Sequence, residues 1–301
     1  MLTSSYYQNL AHVFINFSGF FIDKTFREEE LSYVYEQWHG VFMRIKLLCL
    51  NVFAGRYDRD ATGRSGNLFS YLKAQDADIM CLQEALDTTT PWNDEVYYPD
   101  LRARLCALFP DHTSFMMPLM DDWLWGRPVQ HPISFGNLIL VRNTIPVGKH
   151  EEHMLVGTRR GPPLSDRGVD HPRGIQFVEL PALGLWIGNF QGIVDGNPFK
   201  GDNERRLAQA RGVAASIAGK HCIIAGDFNI WPKTESMRII DKEFRNLVIE
   251  QGITNTRGVL SSLFDCSDYI LVPPELQVLA FRVDQIAVSD HLPLLLEFEV
   301  R

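Results

Sequence analysis

The sequence predicts an α/β protein in which two packed sheets are flanked by helices. Three observations lead there. From Arg44 onward, short apolar runs of strand length alternate with polar loops, while segments with helical spacing are few and loosely interleaved. At 301 residues and 46% hydrophobic content the chain can bury a substantial core. No internal repeat, low-complexity tract or Gly/Ser linker divides it, so one large domain is expected.

Taken in order, strands are expected at 44–53, 77–83, 112–117, 136–142, 174–180, 184–190, 221–226, 268–272, 278–282 and 292–299. Helices are expected at 64–75, 99–108, 203–218 and 237–250. The third helix has the clearest pattern, with Leu207, Ala210, Ala214 and Ile217 at helical spacing and Arg205, Arg206 and Arg211 on other faces. Two long loops remain. Residues 118–134 carry Trp123 and Trp125, for which packing on the core is expected. Residues 157–173 carry Arg159, Arg160, Arg167, His171 and Arg173 among glycines and prolines. The first 42 residues stand apart: "AHVFINFSGFFI" has no basic segment before it and no cleavage site after it, and "FREEELSYVYEQW" reads as a short amphipathic helix. The expected division is an extension of undetermined role at 1–42 and a single domain at 43–301.

Composition narrows the function. A net charge of −8 disfavours a protein that grips long nucleic acid, which needs a basic surface. No apolar run reaches the length of about 18 residues that marks a transmembrane helix. The five cysteines are scattered and form no CxxC pair, which reads as free thiols in a reducing, cytoplasmic setting. Of the nine histidines only His291 has a chemical case; His112 and His153 read as structural.

The chemistry sits where strands end. "LLCLNVF" brings Asn51 to the end of a strand, "DIMCLQEA" brings Gln83 and Glu84, and "LWIGNFQGI" brings Asn189 and Gln191. "CIIAGDFN" brings Asp227 and Asn229, and "AVSDHLPLLLEF" places Ser289, Asp290 and His291 before the last strand. Singly, each polar residue is an ordinary strand-to-loop turn. Together, converging on one rim, they fit phosphoester hydrolysis. Carboxylates with an amide suit a hard cation such as Mg²⁺ or Mn²⁺ better than zinc. Asp227 has the chemistry of a general base, Asn229 of an orienting amide, and His291 of a phosphate contact, with Glu84 and Asp290 toward the metal.

Asn51 in "LCLNV", Glu84 in "LQE", "GDFN" at 226–229 and "SDHLP" at 289–293 occur in an order and spacing that resembles the endonuclease/exonuclease/phosphatase superfamily. It includes deoxyribonuclease-I-like nucleases, apurinic endonucleases, sphingomyelinases and inositol polyphosphate 5-phosphatases, and the resemblance spans 43–301. It implies a four-layered α/β sandwich, with two mostly antiparallel sheets between helices and the site at one edge. It further implies Glu84 as main Mg²⁺ ligand with Asn51 and Asp290 beside it, Asp227 activating water, Asn229 positioning it, and His291 on the scissile phosphate. Asp268 in "CSDYIL" matches the acid that orients that histidine. One departure stands out: many relatives have histidine where this chain has Gln191, and an amide cannot act as a proton-donating acid.

The expected function is therefore metal-assisted hydrolysis of a phosphoester, most naturally a diester, on a small molecule or lipid headgroup. His171, Arg173 and Asn189 are candidate substrate contacts. The alternatives are a nuclease acting on DNA, or a weakened binding module motivated by Gln191 alone. Oligomeric state is open.

Overall fold

The computed structural model describes residues 43–58, 68–88, 96–124, 127–129, 133–159, 171–194 and 200–300. The expected 1–42 extension, Trp125, Arg160 and Arg167 lie outside the described residues, as does the side chain of Trp123. The account below concerns the compact unit Arg44–Glu299.

The strands in chain order are β1 (Met43–Asn51), β2 (Ile79–Asp87), β3 (His112–Met120), β4 (Trp123–Leu124), β5 (Arg127–Pro128), β6 (Ser134–Arg142), β7 (His150–Val156), β8 (Arg173–Leu180), β9 (Leu185–Gln191), β10 (Cys222–Asp227), β11 (Arg245–Asn246), β12 (Asp268–Val272), β13 (Gln277–Val283) and β14 (Leu294–Val300). The helices are α1 (Leu68–Gln75), α2 (Leu101–Leu108), α3 (Glu204–Ile217), α4 (Glu235–Ile240) and α5 (Leu247–Glu250). One six-stranded sheet runs β13-β14-β1-β2-β6-β3 and the other runs β11-β12-β10-β9-β8-β7; β4 and β5 form a separate hairpin. Within each sheet one central pair is parallel, β1 with β2 and β9 with β10. Their neighbours β6, β3, β12, β11, β8 and β7 pair antiparallel.

The central strands form because they are nearly continuous apolar runs that can be buried on both faces. One face of β1 and β2 packs Leu48, Leu50, Met80 and Leu82 against Leu68 and Leu72 of α1 and Leu101 and Leu105 of α2. Between the sheets the layer is partly polar: Gln83 donates to Asn189 Oδ1 at 2.7 Å, and Asn189 donates to Leu82 O at 3.0 Å and Leu138 O at 3.1 Å. Where β9 and β10 run closest only glycine fits, since a Cβ at Gly226 would lie 1.9 Å from the Phe190 carbonyl oxygen.

Four local expectations differ from the structure. β7 reads "HEEHMLV", with no clean alternation of apolar residues; as an edge strand it has no fully buried face, so it lacks the period-two signal. The segment at 237–250 is not one helix: Thr234 caps α4, Asn246 caps α5 through Ile249 N, and β11 pairs with β12 in the gap. The buried stripe of α3 is Arg206, Gln209, Ala210 and Val213, one residue earlier than expected. Arg206 is inside, donating to Gly201 O at 3.0 Å and Val194 O at 3.2 Å, so a charged side chain takes a core position by closing a loop's carbonyls. Finally, β3 runs on to Met120, and the β4–β5 hairpin occupies part of the expected 118–134 loop.

Among the described residues, no helix is long and apolar enough to cross a membrane. All five cysteines are free thiols.

Candidate active site

The register of the central strands brings the polar strand ends together. In the first sheet Asn51 pairs with Gln83 across the parallel β1–β2 pair. In the second, Asp227 is flanked in register by Gln191 of β9 and Asp268 of β12. The parallel strands of both sheets thus deliver their C-terminal residues to one rim.

Two residues reach that rim through unusual backbone. Glu84 has φ +57°, inside an irregularity where β2 slips against β6 between Leu82 and Ala85. A bulge of this kind re-aims one side chain without moving the strand. Asn229 has φ +52°, two residues past the end of β10. Left-handed backbone outside glycine is uncommon, and it collects where geometry matters more than strain.

The side chains are tightly interlocked. Asn51 Nδ2 donates to Asp227 Oδ2 at 3.1 Å, while its Oδ1 accepts from Phe53 N at 3.0 Å. Asn229 donates to Asp227 twice, from its backbone N to Oδ1 and from Nδ2 to Oδ2, each at 3.2 Å. Gln191 Nε2 donates to Glu84 Oε1 at 2.8 Å. His291 Nδ1 lies 2.8 and 3.0 Å from the two oxygens of Asp268, and its Nε2 lies 3.7 Å from Asp227 Oδ2. Asp268 is itself held by the hydroxyls of Thr256, at 2.7 Å, and Ser267, at 3.0 Å. Asn51, Asp227, Asn229, Gln191, Asp268 and His291 are all buried.

Burial sets the electrostatics. It pushes the Glu84 carboxyl up to about 7; Arg173 opposes that rise, and the negative charges of Asp227 and Asp290 add to it. Burial likewise lifts Asp268 to about 6, against Arg257 and the Thr256 and Ser267 hydroxyls. Burial, then Arg257, pull His291 down to about 4 against the acids around it. The imidazole is therefore neutral, with its proton assigned to Nδ1 by the carboxylate it faces.

These donors fit a hard divalent cation. Glu84 is close enough to Asp227 and Asp290 to feel the charge of both, and like charges crowded in one site are what such an ion relieves. Glu84 and Asp290 offer carboxylate oxygens, and Asn51 Oδ1 keeps a second lone pair beyond its bond to Phe53 N. Ligand atoms of Asp227, Asp268 and His291 also lie within 4.8 Å of one another. There, however, Asp268 is spent on His291, Thr256 and Ser267, so that trio is a hydrogen-bonded chain rather than a cage.

The three candidate substrate contacts are placed differently. Asn189 does not reach the rim; it is fully buried, its amide spent on Gln83, Leu82 and Leu138 across the sheets. A substrate cannot reach a side chain already committed in this way. His171 is buried against Phe135, ring centroids 5.7 Å apart, and Phe135 itself belongs to an apolar cluster with Leu86, Met120 and Ile133. Arg173, also buried, donates from Nε to Gly192 O at 3.0 Å and serves as a nearby positive charge for Glu84. Arg159, at the start of the same 157–173 segment, pairs with Asp121 at 2.6 Å.

Two site residues escaped the sequence reading. Thr256 anchors Asp268, and Arg257 forms a backbone bridge with His291. The Arg257 Nη1 also meets His291 Nε2 and lies 3.3 Å from Asp290 Oδ2. "TNTRG" reads as a solvated turn, and nothing in its spacing marks it.

Comparison with known proteins agrees with this architecture. Solved structures alike in fold include an endonuclease/exonuclease/phosphatase from Beutenbergia cavernae DSM 12333, 16% identical, with 85% of this chain and 72% of that chain covered and a TM-score of 0.63. Another is the mannosyl-6-phosphatase of Bacteroides thetaiotaomicron VPI-5482, at 16% identity, 84% and 99% coverage and a TM-score of 0.61. A third is ANGEL2, a 2',3'-cyclic phosphatase, at 15% identity, 86% and 95% coverage and a TM-score of 0.58. At these identities the likeness speaks for the fold. No curated protein sequence matches the chain. The sequence profile of the Endonuclease/Exonuclease/phosphatase family matches residues 48–291, and so includes every strand end described above from Asn51 to His291. The chain belongs to the endonuclease/exonuclease/phosphatase family.

Proposed function

We propose that the protein is a hydrolase of phosphoesters, dependent on Mg²⁺ or Mn²⁺, that acts on a small phosphodiester or lipid headgroup rather than on long nucleic acid. The observation that carries this reading is the meeting of Glu84, Asp227, Asp290 and His291 at one rim, from three segments far apart in the chain.

Glu84, Asp290 and Asn51 are the residues to hold the cation, which when bound would polarise a phosphoryl oxygen and offset charge on the leaving oxygen. Asp227 would take the proton from the attacking water. Three N–H groups converge on its carboxylate from Asn51 and Asn229, fixing its orientation and leaving one task for its free lone pairs. Asn229 also donates to Gly192 O at 3.2 Å, which ties the loop after β10 to the end of β9. Gln191 would act on Glu84 rather than on the leaving group: it holds that carboxylate and has no proton to give as an acid. Leaving groups that depart as stable anions are therefore favoured. The preference against long nucleic acid rests on the net charge of −8.

The test is hydrolysis of bis(p-nitrophenyl) phosphate, a panel of nucleotides and phospholipids, and plasmid DNA, with Mg²⁺, Mn²⁺ and chelator. Metal-dependent turnover of the small esters is expected. DNA cleavage at low enzyme concentration would overturn the substrate preference, and no turnover of any ester with any metal would overturn the whole reading.

A further inference from the structure

Arg56 stands at the mouth of the site on an unusual turn. Directly after Asn51 and Val52 the backbone is left-handed at Phe53 (φ +43°), Ala54 (φ +52°) and Gly55 (φ +71°) in succession. Gly55 is the residue that allows it, since a Cβ there would lie 2.3 Å from the Tyr98 ring. The turn is tied to the site itself, with Phe53 N donating to Asn51 Oδ1 at 3.0 Å. It closes on the 96–98 segment, where Tyr98 N donates to Ala54 O at 2.9 Å. Three rings gather around the arginine that follows. The Arg56 guanidinium carbon lies 5.4 Å from the ring centre of Phe53, 6.0 Å from that of Tyr57 and 5.8 Å from that of Tyr97. Its Nη1 donates to the Tyr97 hydroxyl at 3.0 Å.

These partners are all neutral. Arg102, Arg104, Arg142, Arg238, Arg245 and Arg282 each sit against a carboxylate, as expected in a chain with 37 Asp and Glu against 29 Lys and Arg. Arg56 has no carboxylate partner among the described residues. The acid closest to it in sequence, Asp58, is spent on Leu68 N at 2.7 Å and on the Tyr98 hydroxyl at 3.0 Å. The rings therefore fix the guanidinium without cancelling its charge. The side chain is exposed, and among the described residues its Nε and Nη2 make no hydrogen bond. An arginine held in this way offers a charged, two-pronged edge to an anion arriving from solvent. Tyr57 links that cation to the acids. Its hydroxyl donates to Leu260 O at 3.3 Å, in the loop whose Gly258 N donates to Asp290 O at 2.8 Å. Burial first, then the charge of Asp290, push the Tyr57 phenol up while Arg56 opposes them, so one half-buried ring lies within electrostatic reach of both. Arg56 reaches the cation-holding residues only through its neighbours: Phe53 joins it to Asn51 and Tyr57 joins it to Asp290. That separation matches a second anionic group of the substrate rather than the phosphate being cleaved.

We infer that Arg56 is a specificity-determining residue that binds a second phosphate of the substrate, so that the preferred substrates are phosphoesters carrying two phosphate groups. The inference rests on the phosphoester reading and narrows its substrate class. Phosphate suits the position better than carboxylate, because a phosphate monoester carries up to two charges and the attraction scales with charge. A phosphorylated sugar or headgroup and a stretch of nucleotide chain both present a second phosphate, and the experiment separates the two.

The full chain and its Arg56→Gln variant decide it, each checked by thermal unfolding; because the side chain is exposed, the variant is expected to melt like the parent. Calorimetric binding in Mg²⁺ buffer is measured for matched pairs. These are adenosine 3',5'-bisphosphate against adenosine 5'-monophosphate, fructose 1,6-bisphosphate against fructose 6-phosphate, and inositol 1,4-bisphosphate against inositol 1-phosphate, with an oligothymidylate strand beside them. In at least one pair the parent is expected to bind the bisphosphate about tenfold or more tightly than the monophosphate, and Arg56→Gln to bring that ratio down toward one. A parent that prefers no bisphosphate in any pair overturns the inference, as does a folded Arg56→Gln that keeps the parent's ratio. Arg56-dependent binding of oligothymidylate that is tighter than that of any small bisphosphate supports the second-phosphate site and overturns the preference for small substrates. Hydrolysis of bis(p-nitrophenyl) phosphate by the parent, read on the same preparation, separates the two readings. If bisphosphate preference depends on Arg56 but the parent turns over no ester with any metal, the inference stands and the hydrolase reading falls; if the parent turns over esters but prefers no bisphosphate, the reverse holds.

Discussion

Replacing Asp268 by asparagine tests whether the acid behind His291 controls the site. The substitution is nearly isosteric, and the Thr256 and Ser267 hydroxyls, now at 2.7 and 3.0 Å from the carboxylate, can still donate to an amide oxygen. What changes is the contact at 2.8 and 3.0 Å to His291 Nδ1. A hydrogen bond to a charged group contributes about 1.5–3 kcal/mol. At about 1.4 kcal/mol per decade, its loss corresponds to roughly a 10- to 100-fold fall in kcat/KM. The sign is reinforced by geometry. If the new amide turns its N–H toward the ring, the proton moves from Nδ1 to Nε2, where it meets the Arg257 Nη1–H head on, and the guanidinium must leave its place. Burial pushes the Asp268 carboxyl up to about 6, so removing its charge takes away a disfavoured buried ion and the fold should hold. The assay is Mg²⁺-supported hydrolysis of bis(p-nitrophenyl) phosphate beside a thermal unfolding curve. A folded variant with kcat/KM within about threefold of the parent would refute the orienting role.

Three further outcomes are expected. Glu84→Gln should abolish metal-dependent turnover, yet in chelator it should melt no lower than the parent, because it removes the charge that burial and Asp227 and Asp290 oppose. Saturating Mg²⁺ at about 100 times Kd should raise the parent's Tm by roughly 5–10 °C and leave the variant's unmoved, as differential scanning fluorimetry would read. Asn189→Ala strips the buried bonds to Gln83, Leu82 and Leu138 and should cost about 3 kcal/mol or more in a urea titration. Its kcat/KM well below Tm should nonetheless stay within about threefold of the parent, whereas a substrate contact would raise KM. Gly226→Ala places a methyl 1.9 Å from the Phe190 carbonyl oxygen, a backbone atom that cannot step aside, so β9 and β10 must part. A Tm drop of about 10 °C or failure to express soluble protein is expected, and a parent-like Tm would show that the two strands separate easily.

The buried centre of this protein was legible because its signals are local. "LLCLNVF" and "CIIAGDFN" each compress an apolar run and its polar end into a few residues, and a strand's length fixes where its end falls. Register then did the rest: once β9, β10 and β12 are neighbours, Gln191, Asp227 and Asp268 have to stand abreast. What was hidden depends on tertiary context. β7 is an edge strand without a buried face, and Arg206 is buried where it donates to the carbonyls of Gly201 and Val194. The 237–250 segment has helical composition, but the first helix stops at Ile240 and a second starts only at the Asn246 cap.

The same distinction separates Asn189 from Gln191. Both are amides on β9, two residues apart and so on the same face, and no local pattern tells them apart. Position along the strand decides their use. Two residues in from the rim, Asn189 meets Gln83 and two carbonyls of the opposing sheet and becomes a clasp between layers. At the rim, Gln191 meets a carboxylate that a bulge has turned outward from β2, and becomes part of the site. A polar residue between two sheets thus takes its role from what the other sheet offers at that depth. For that reason a histidine at position 191 would not simply restore an acid: it would also release Glu84 from the donor that now holds it. The Gln191→His variant should therefore lose affinity for Mg²⁺ in a calorimetric titration before any change in leaving-group preference can be read. Undiminished Mg²⁺ binding in that variant would mean that the 2.8 Å contact does not position Glu84.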